Sequence, residues 1–140
     1  MAAEPPRHVP YATGPSILLV DDDQDGRDMY DEYLRFKGCR VSVAAGGAEG
    51  IAYARTLHPD MILMDLRMPS MTGIEALHTL RADPAFAAVP IVALTAQALN
   101  DEQAAARQAG FDAVIAKPCL PEDLFAAIEE LLASRRTAGG

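Results

Sequence analysis

The chain has 140 residues, half of them hydrophobic, and a formal net charge of −8 at pH 7. This length is typical of one domain, and the hydrophobic fraction is sufficient for a buried core. The negative charge disfavours direct binding to nucleic acid or to an anionic membrane surface. No apolar run approaches the ~20 residues of a membrane helix, and the N-terminus lacks the pattern of a signal peptide, so a cytoplasmic protein is expected.

Two tails are predicted to flank the folded region. Residues 1–15 contain four of the ten prolines and little hydrophobic periodicity, which is typical of a flexible segment with nothing to bury. The last residues, 135–140, have a similar character. The folded domain is therefore predicted to span residues 16–134.

Five short apolar runs follow in chain order: ILLV, CRVSVAA, MILM, IVALT and AVIA. Runs rich in Val, Ile, Leu and Met without strict polar alternation are typical of strands buried on both faces of a parallel sheet. The segments between and after them are predicted to be helices. Right-handed connections then favour an α/β, flavodoxin-like doubly wound (βα)5 fold, whose five-stranded parallel sheet has the order 2-1-3-4-5 with helices on both faces.

The predicted helices differ in how much apolar surface they offer. The first, over residues 25–37, is expected to bury Met29, Tyr33 and Leu34 and to stop at Gly38. The fourth, over residues 100–109, has few large apolar residues. It is expected to dock most weakly on the sheet.

Polar side chains end four of the five predicted strands. Ligands in this fold bind outside the carboxyl ends of the strands, so these side chains are expected to converge on one rim. They are Asp21, Asp22 and Asp23 after ILLV, Asp65 after MILM, Thr95 at the end of IVALT, and Lys117 after AVIA.

The combination of these residue types indicates phosphoryl chemistry. Carboxylates at one spot repel by roughly 1 to 4 kcal/mol per pair at about 4 Å, so positive charge must offset them. Lys117 supplies one charge, and Mg²⁺ is expected to supply the rest because it favours carboxylates, water and phosphate oxygens. A metal-bound carboxylate facing a lysine and a hydroxyl is equipped to attack phosphorus. One strand-end Asp is commonly only a helix cap, but four such endings together favour a site.

The motifs ILLVDDD, DMILMDLRMPSMTGIEAL, IVALTA and AKP, in this order, resemble those of the receiver domains of two-component signalling. The resemblance extends over residues 17–133. It implies that Asp65 is the phosphoacceptor, that the Thr95 hydroxyl bonds a phosphoryl oxygen, and that Lys117 pairs with the same group.

The resemblance also implies a magnesium site and a particular loop geometry. Asp22 and Asp65 would bind the metal directly, Asp21 would act mainly through metal-bound water, and the backbone carbonyl of Arg67 would complete the protein ligands. The bond between Lys117 and Pro118 would be cis. Met68, Pro69 and Gly73 match the family's loop from strand to helix after the acceptor.

Three positions bear on regulation. Arg67 and Gln97 stand two residues beyond Asp65 and Thr95, where side chains in the receiver family help or obstruct the attacking water. Val114 stands where the family usually has Tyr or Phe. The family's aromatic output switch is therefore not carried over to this chain.

As a receiver-like protein, the chain is expected to be a signalling switch that catalyses its own phosphorylation and dephosphorylation, not a metabolic enzyme. A sensor histidine kinase or a phosphotransfer protein would donate the phosphoryl group. No effector domain follows the last helix in this sequence, so output is expected through a downstream protein partner or a phosphorelay. A stand-alone protein and a fragment of a hybrid kinase both fit this pattern.

Two other functions compete with this interpretation. A phosphatase of the haloacid-dehalogenase type also uses a strand-end Asp nucleophile and magnesium, but it needs a second Asp two residues later, where Arg67 stands. A flavodoxin-type nucleotide or flavin binder would need a first loop rich in glycine or hydroxyl groups. The first loop here is DDDQDG, whose carboxylates would repel phosphate.

Overall fold

The computed structural model describes residues 14–96 and 100–139. The predicted N-terminal tail therefore lies outside the described residues, apart from Gly14 and Pro15, and Gln97 lies outside them too. Gly14 and Pro15 lie just before the first strand, and the carbonyl of Pro15 accepts a hydrogen bond from the amide of Arg40 at 2.9 Å.

The sheet consists of five strands: β1 (Ser16–Val20), β2 (Arg40–Ala44), β3 (Met61–Asp65), β4 (Ile91–Thr95) and β5 (Ala113–Ala116). They are parallel and lie in the order β2-β1-β3-β4-β5, which confirms the predicted topology. Aligned register brings the ends of β1 and β3 level, because Val20 pairs with Met64.

Helices follow all five strands. Gly38 has a φ of 95°, a left-handed conformation that glycine adopts without strain, and it ends the first helix as predicted. The helices are α1 (Gln24–Phe36), α2 (Gly47–Leu57), α3 (Gly73–Arg81), α4 (Asn100–Ala109) and α5 (Pro121–Gly139), with a short 3-10 helix at Pro84–Phe86.

The end of α5 differs from the sequence prediction. The helix continues to Gly139, five residues past the predicted domain boundary at residue 134. Ala133 to Ala138 contains neither proline nor glycine, so no residue in this segment stops the helix. Across the described residues, no helix has both the length and the apolar character to span a membrane.

Hydrophobic side chains fill both faces of the sheet. One cluster lies under α2, α3 and α4 and includes Leu18, Ile62 and Phe86. The other lies under α1 and α5 and includes Ile17, Leu63 and Ile128. Strands covered on both faces must be apolar throughout, which explains why the strand runs lack polar alternation.

The expected buried face of α1 was partly wrong. Leu34 is buried as predicted, but the other buried residue of the helix is Tyr30. Met29 is 45% exposed. The helix is therefore rotated by about one residue relative to the prediction, which turns Met29 outward beside the carboxyl ends of the strands.

Candidate functional site

The four polar strand ends do meet at one rim of the sheet. Carboxylate oxygens of Asp21, Asp22 and Asp65 all lie within 4.8 Å of one another. Asp21 is fully buried, Asp65 is 7% exposed and Asp22 is exposed. Three carboxylates therefore form one cluster, in which Asp21 and Asp65 are shielded from water and Asp22 faces it.

Lys117 is the basic residue that reaches this acidic cluster. Its Nζ lies 2.8 Å from Asp21 Oδ2 and 3.6 Å from Asp65 Oδ2. Burial disfavours the charged ammonium, but the hydrogen bond to Asp21 and the charge of Asp65 outweigh it and raise the pKa of Lys117. The peptide bond to Pro118 is cis, as the family resemblance implied.

Asp65 is held by the loop that follows it. Its Oδ1 accepts a hydrogen bond from the backbone amide of Arg67 at 3.1 Å. Burial raises the pKa of Asp65 to about 6, although that hydrogen bond and the Lys117 charge lower it, and the nearby Asp21 raises it further. The carboxylate is therefore less stable in its charged form than an ordinary surface aspartate.

Thr95 ends β4, which pairs with β3, the strand that ends in Asp65. Asp65 pairs in register with Leu94, so Thr95 lies one residue further along the same rim. Thr95 is fully buried, and its carbonyl accepts a hydrogen bond from the Lys117 amide at 2.7 Å. This backbone bond links the lysine loop directly to the end of β4.

The loop between β3 and α3 is closed by tight backbone contacts. The amide of Gly73 donates to the carbonyl of Leu66 at 2.9 Å. Ser70 has a φ of 72°, a conformation that non-glycine residues seldom adopt. Thr72 and Glu75 form a reciprocal capping box at the start of α3. The loop that carries the Asp65 hydrogen bond is thus well determined locally.

Sequence reasoning missed two residues that support the rim. Arg27 Nη1 donates to the backbone carbonyl of Asp21 at 2.7 Å, which places a second positive charge behind the acidic loop. The Tyr30 hydroxyl donates to the carbonyl of Cys119 at 3.0 Å, which ties α1 to the loop carrying Lys117. Burial, together with the Cys119 thiol, raises the pKa of Tyr30 to about 12, so it stays protonated as a donor. Arg27 stands only six residues after Asp21, in the first turn of α1, and this closeness in the sequence could have predicted its contact with the acidic loop.

A cavity of about 450 Å³ opens beside Asp65. Its lining combines polar residues, among them Asp65, Arg67 and Lys117, with the apolar residues Met29 and Pro118. The exposed side chain of Asp22 faces solvent nearby. The rim is therefore accessible from solvent.

Comparisons with known proteins point to one family. Residues 17–129 match the family model of the response regulator receiver domain. The chain is 37% identical over 116 residues to the DNA-binding response regulator MtrA of Mycobacterium tuberculosis, covering 83% of this chain and 50% of MtrA. The chain thus spans about half the length of the curated relatives it matches.

Solved structures show the same architecture. A CheY-like receiver domain protein from Methanospirillum hungatei superposes with a TM-score of 0.83 at 30% identity, covering 90% of this chain and 99% of the other. A second similar structure is the receiver domain of sensor histidine kinase PA1611 from Pseudomonas aeruginosa, solved with magnesium coordinated in its active site cleft. It superposes with a TM-score of 0.80 at 34% identity, covering 86% of this chain and 99% of the other.

The five-stranded parallel sheet in the order 2-1-3-4-5 is the fold of CheY-like receiver domains. The chain belongs to the response regulator receiver domain family. The haloacid-dehalogenase and flavodoxin-type interpretations are not supported, since the family match covers the strands and the whole rim. Arg67, at the position where the phosphatase would need its second Asp, forms an ion pair with Glu102 of α4.

Proposed function

We propose that this chain accepts a phosphoryl group on Asp65 from a histidine kinase or phosphotransfer protein, in a reaction that depends on Mg²⁺. The observation that carries the proposal is the acceptor geometry. The Asp65 carboxylate is buried at an open rim, 3.6 Å from the Lys117 ammonium and within 4.8 Å of two further acids.

The donor set at the rim fits Mg²⁺. Three carboxylates offer the hard oxygen ligands that this ion prefers, and the exposed side of Asp22 leaves room for retained water. Asp21, Asp22 and Asp65 would hold the ion together with the Arg67 carbonyl. When bound, Mg²⁺ supplies positive charge that offsets the acids and stabilises phosphoryl oxygens. A magnesium ion at the equivalent cleft of the PA1611 receiver domain supports this assignment.

The chain's own residues perform the transfer. An Asp65 carboxylate oxygen forms the bond to phosphorus, while the bond between phosphorus and the donor's histidine nitrogen breaks and its electron pair returns to the imidazole. The Lys117 ammonium would neutralise charge on the phosphoryl oxygens. The Thr95 hydroxyl would donate to one of them.

The output of this switch is proposed to be a protein partner. Receiver domains are signalling modules and not metabolic enzymes, and this one would act in the cytoplasm without direct contact to nucleic acid or membrane. Val114 packs half-buried against the core beneath α2 to α4. A short branched side chain there displaces little surface when it moves, so the signal would pass through the backbone near Thr95 and α4.

Phosphorylation of Asp65 can be tested by intact-mass spectrometry. Acetyl phosphate with Mg²⁺ is expected to add one phosphoryl group to the wild type and none to Asp65→Asn. The amide cannot form the acyl phosphate, and its shape keeps the fold intact. Equal labelling of the two proteins would refute the assignment of Asp65.

Magnesium binding should stabilise the fold. The ion binds only the folded arrangement of acids, so at about a hundredfold excess over its dissociation constant the gain is about 2.7 kcal/mol, or a rise in melting temperature of about 5–10 °C. Asp22→Ala is expected to remove most of this rise, whereas Asp28→Asn, an exposed acid on α1, should retain it. Thermal melts at matched ionic strength measure the difference. A wild-type melt that does not respond to Mg²⁺ would exclude the site.

A further inference from the structure

Arg67 joins the acceptor loop to the first turn of α4. Its guanidinium forms an ion pair with the Glu102 carboxylate, 35 residues away in the sequence. Its backbone amide simultaneously holds Asp65 Oδ1 at 3.1 Å. The same residue lines the cavity above Asp65 and Lys117. A single residue thus contacts both the proposed phosphoacceptor and the helix that was expected to dock most weakly.

We propose that Arg67 and Glu102 form a latch, in which Glu102 and a phosphoryl group on Asp65 compete for the Arg67 guanidinium. The latch is closed, with Arg67 on Glu102, in the unphosphorylated chain. It opens when the phosphoryl group draws Arg67 over the acceptor. The inference rests on the proposed function of Asp65 and assigns to Glu102 control over the lifetime of the phosphorylated state.

The charges of the two groups that compete for Arg67 favour the phosphoryl group over Glu102. A phosphoryl group carries a charge near −2 and three acceptor oxygens, whereas Glu102 offers one negative charge. The planar guanidinium fork suits phosphate oxygens particularly well. The Arg67 side chain is 62% exposed, so it can leave Glu102 without giving up much buried surface. Ion pairs at such exposure are weak, and a dianion beside Arg67 can displace the carboxylate.

Glu102 would respond to the loss of Arg67. Its side chain is 31% exposed, and within the described residues its Oε1 is buried without a hydrogen-bond partner. Loss of Arg67 would leave neither oxygen of this partly buried carboxylate with a partner among the described residues, which is unfavourable for the charged group. Glu102 belongs to the first turn of α4. Opening the latch is therefore expected to loosen that turn, which connects the state of Asp65 to α4.

The latch also bears on hydrolysis of the aspartyl phosphate. In that step a water oxygen bonds to phosphorus, the bond from phosphorus to the Asp65 oxygen breaks, and inorganic phosphate and a proton leave. Arg67 lying over the phosphoryl group would obstruct the approach of water from the open cavity. Glu102, by drawing Arg67 back, would restore access and shorten the lifetime.

Four variants separate this latch from a local structural effect. The aspartyl phosphate, formed with acetyl phosphate and Mg²⁺ and followed by intact mass after desalting into Mg²⁺, is expected to decay about two- to fivefold more slowly in Glu102→Gln and about two- to fivefold faster in Arg67→Ala. The double variant should decay like Arg67→Ala alone, because Glu102 acts only through Arg67. Asp101→Asn, which removes an exposed acid from the same turn, should decay like the wild type.

Hydrogen exchange provides a second readout that does not depend on decay. The beryllofluoride mimic is expected to lower amide protection in the first turn of α4 in the wild type, and Arg67→Ala should show that low protection already without the mimic. An unchanged or shortened lifetime in Glu102→Gln, or a double variant that keeps the long lifetime, would overturn the latch. If the wild type takes no phosphoryl group, the proposed function fails as well. If labelling occurs with equal lifetimes, only the latch fails.

Discussion

Replacing Asp65 with asparagine is expected to stabilise the metal-free protein by about 1–3 kcal/mol at pH 8. Burial raises the pKa of Asp65 from 3.8 to about 6, so the folded state binds the proton more tightly than the unfolded state. The favourable contribution of the protonated acid is fully present below about pH 4 and is lost as the pH rises through about 6. Above that pH the folded protein contains an unfavourable buried charge, which the amide removes.

The pH dependence of the difference between the two proteins tests this explanation. In urea unfolding with a chelator present, the free energy of unfolding of Asp65→Asn should exceed that of the wild type at pH 8. At pH 4 the two values should be nearly equal. Asp28→Asn, an exposed acid on α1, should stay within about 0.5 kcal/mol of the wild type throughout. A less stable Asp65→Asn at pH 8 without Mg²⁺ would mean that the pairing with Lys117 outweighs burial.

The sheet and its rim could be predicted because each depends on short segments of sequence. Apolar runs such as MILM indicate strands buried on both faces. Because the strands are parallel, the residue that ends each run lies at the same carboxyl edge of the sheet. Asp21, Asp65 and Lys117 were therefore placed together by topology alone. The carboxylate-to-ammonium distances of 2.8 and 3.6 Å do not follow from register alone, because β5 lies three strands away from β1 in the sheet and the long Lys117 side chain has to span that separation.

The supporting contacts could not be predicted because they join elements that are distant in sequence. The partner of Arg67 lies on α4, and the partner of Tyr30 lies in the loop after β5. Neither pairing leaves a periodic signal. The rotation of α1 that buries Tyr30 and exposes Met29 also depends on packing against α5, since both side chains are hydrophobic enough to be buried.

Gly73→Ala is expected to lower the free energy of unfolding by about 2–4 kcal/mol, or the melting temperature by about 5–15 °C. A Cβ added at Gly73 would lie 2.4 Å from the carbonyl oxygen of Asp65 and 2.9 Å from Cα of Leu66. Both are backbone atoms, so no side-chain rotation can relieve the overlap. The hydrogen bond from Gly73 to Leu66 at 2.9 Å holds the two segments at this separation.

The same substitution should impair phosphorylation beyond its effect on stability. Relief of the overlap must displace the backbone of Asp65 itself, and misplacement of a reacting group by a fraction of an ångström is costly in rate. Labelling by acetyl phosphate at a temperature where the variant remains folded is therefore expected to slow at least tenfold. Gly46→Ala makes the same chemical change at the start of α2, where a Cβ meets nothing within 4 Å. It should cost at most about 1 kcal/mol and leave labelling unchanged. If Gly73→Ala melts and labels like Gly46→Ala, then the loop after β3 is free to shift and does not fix the position of Asp65.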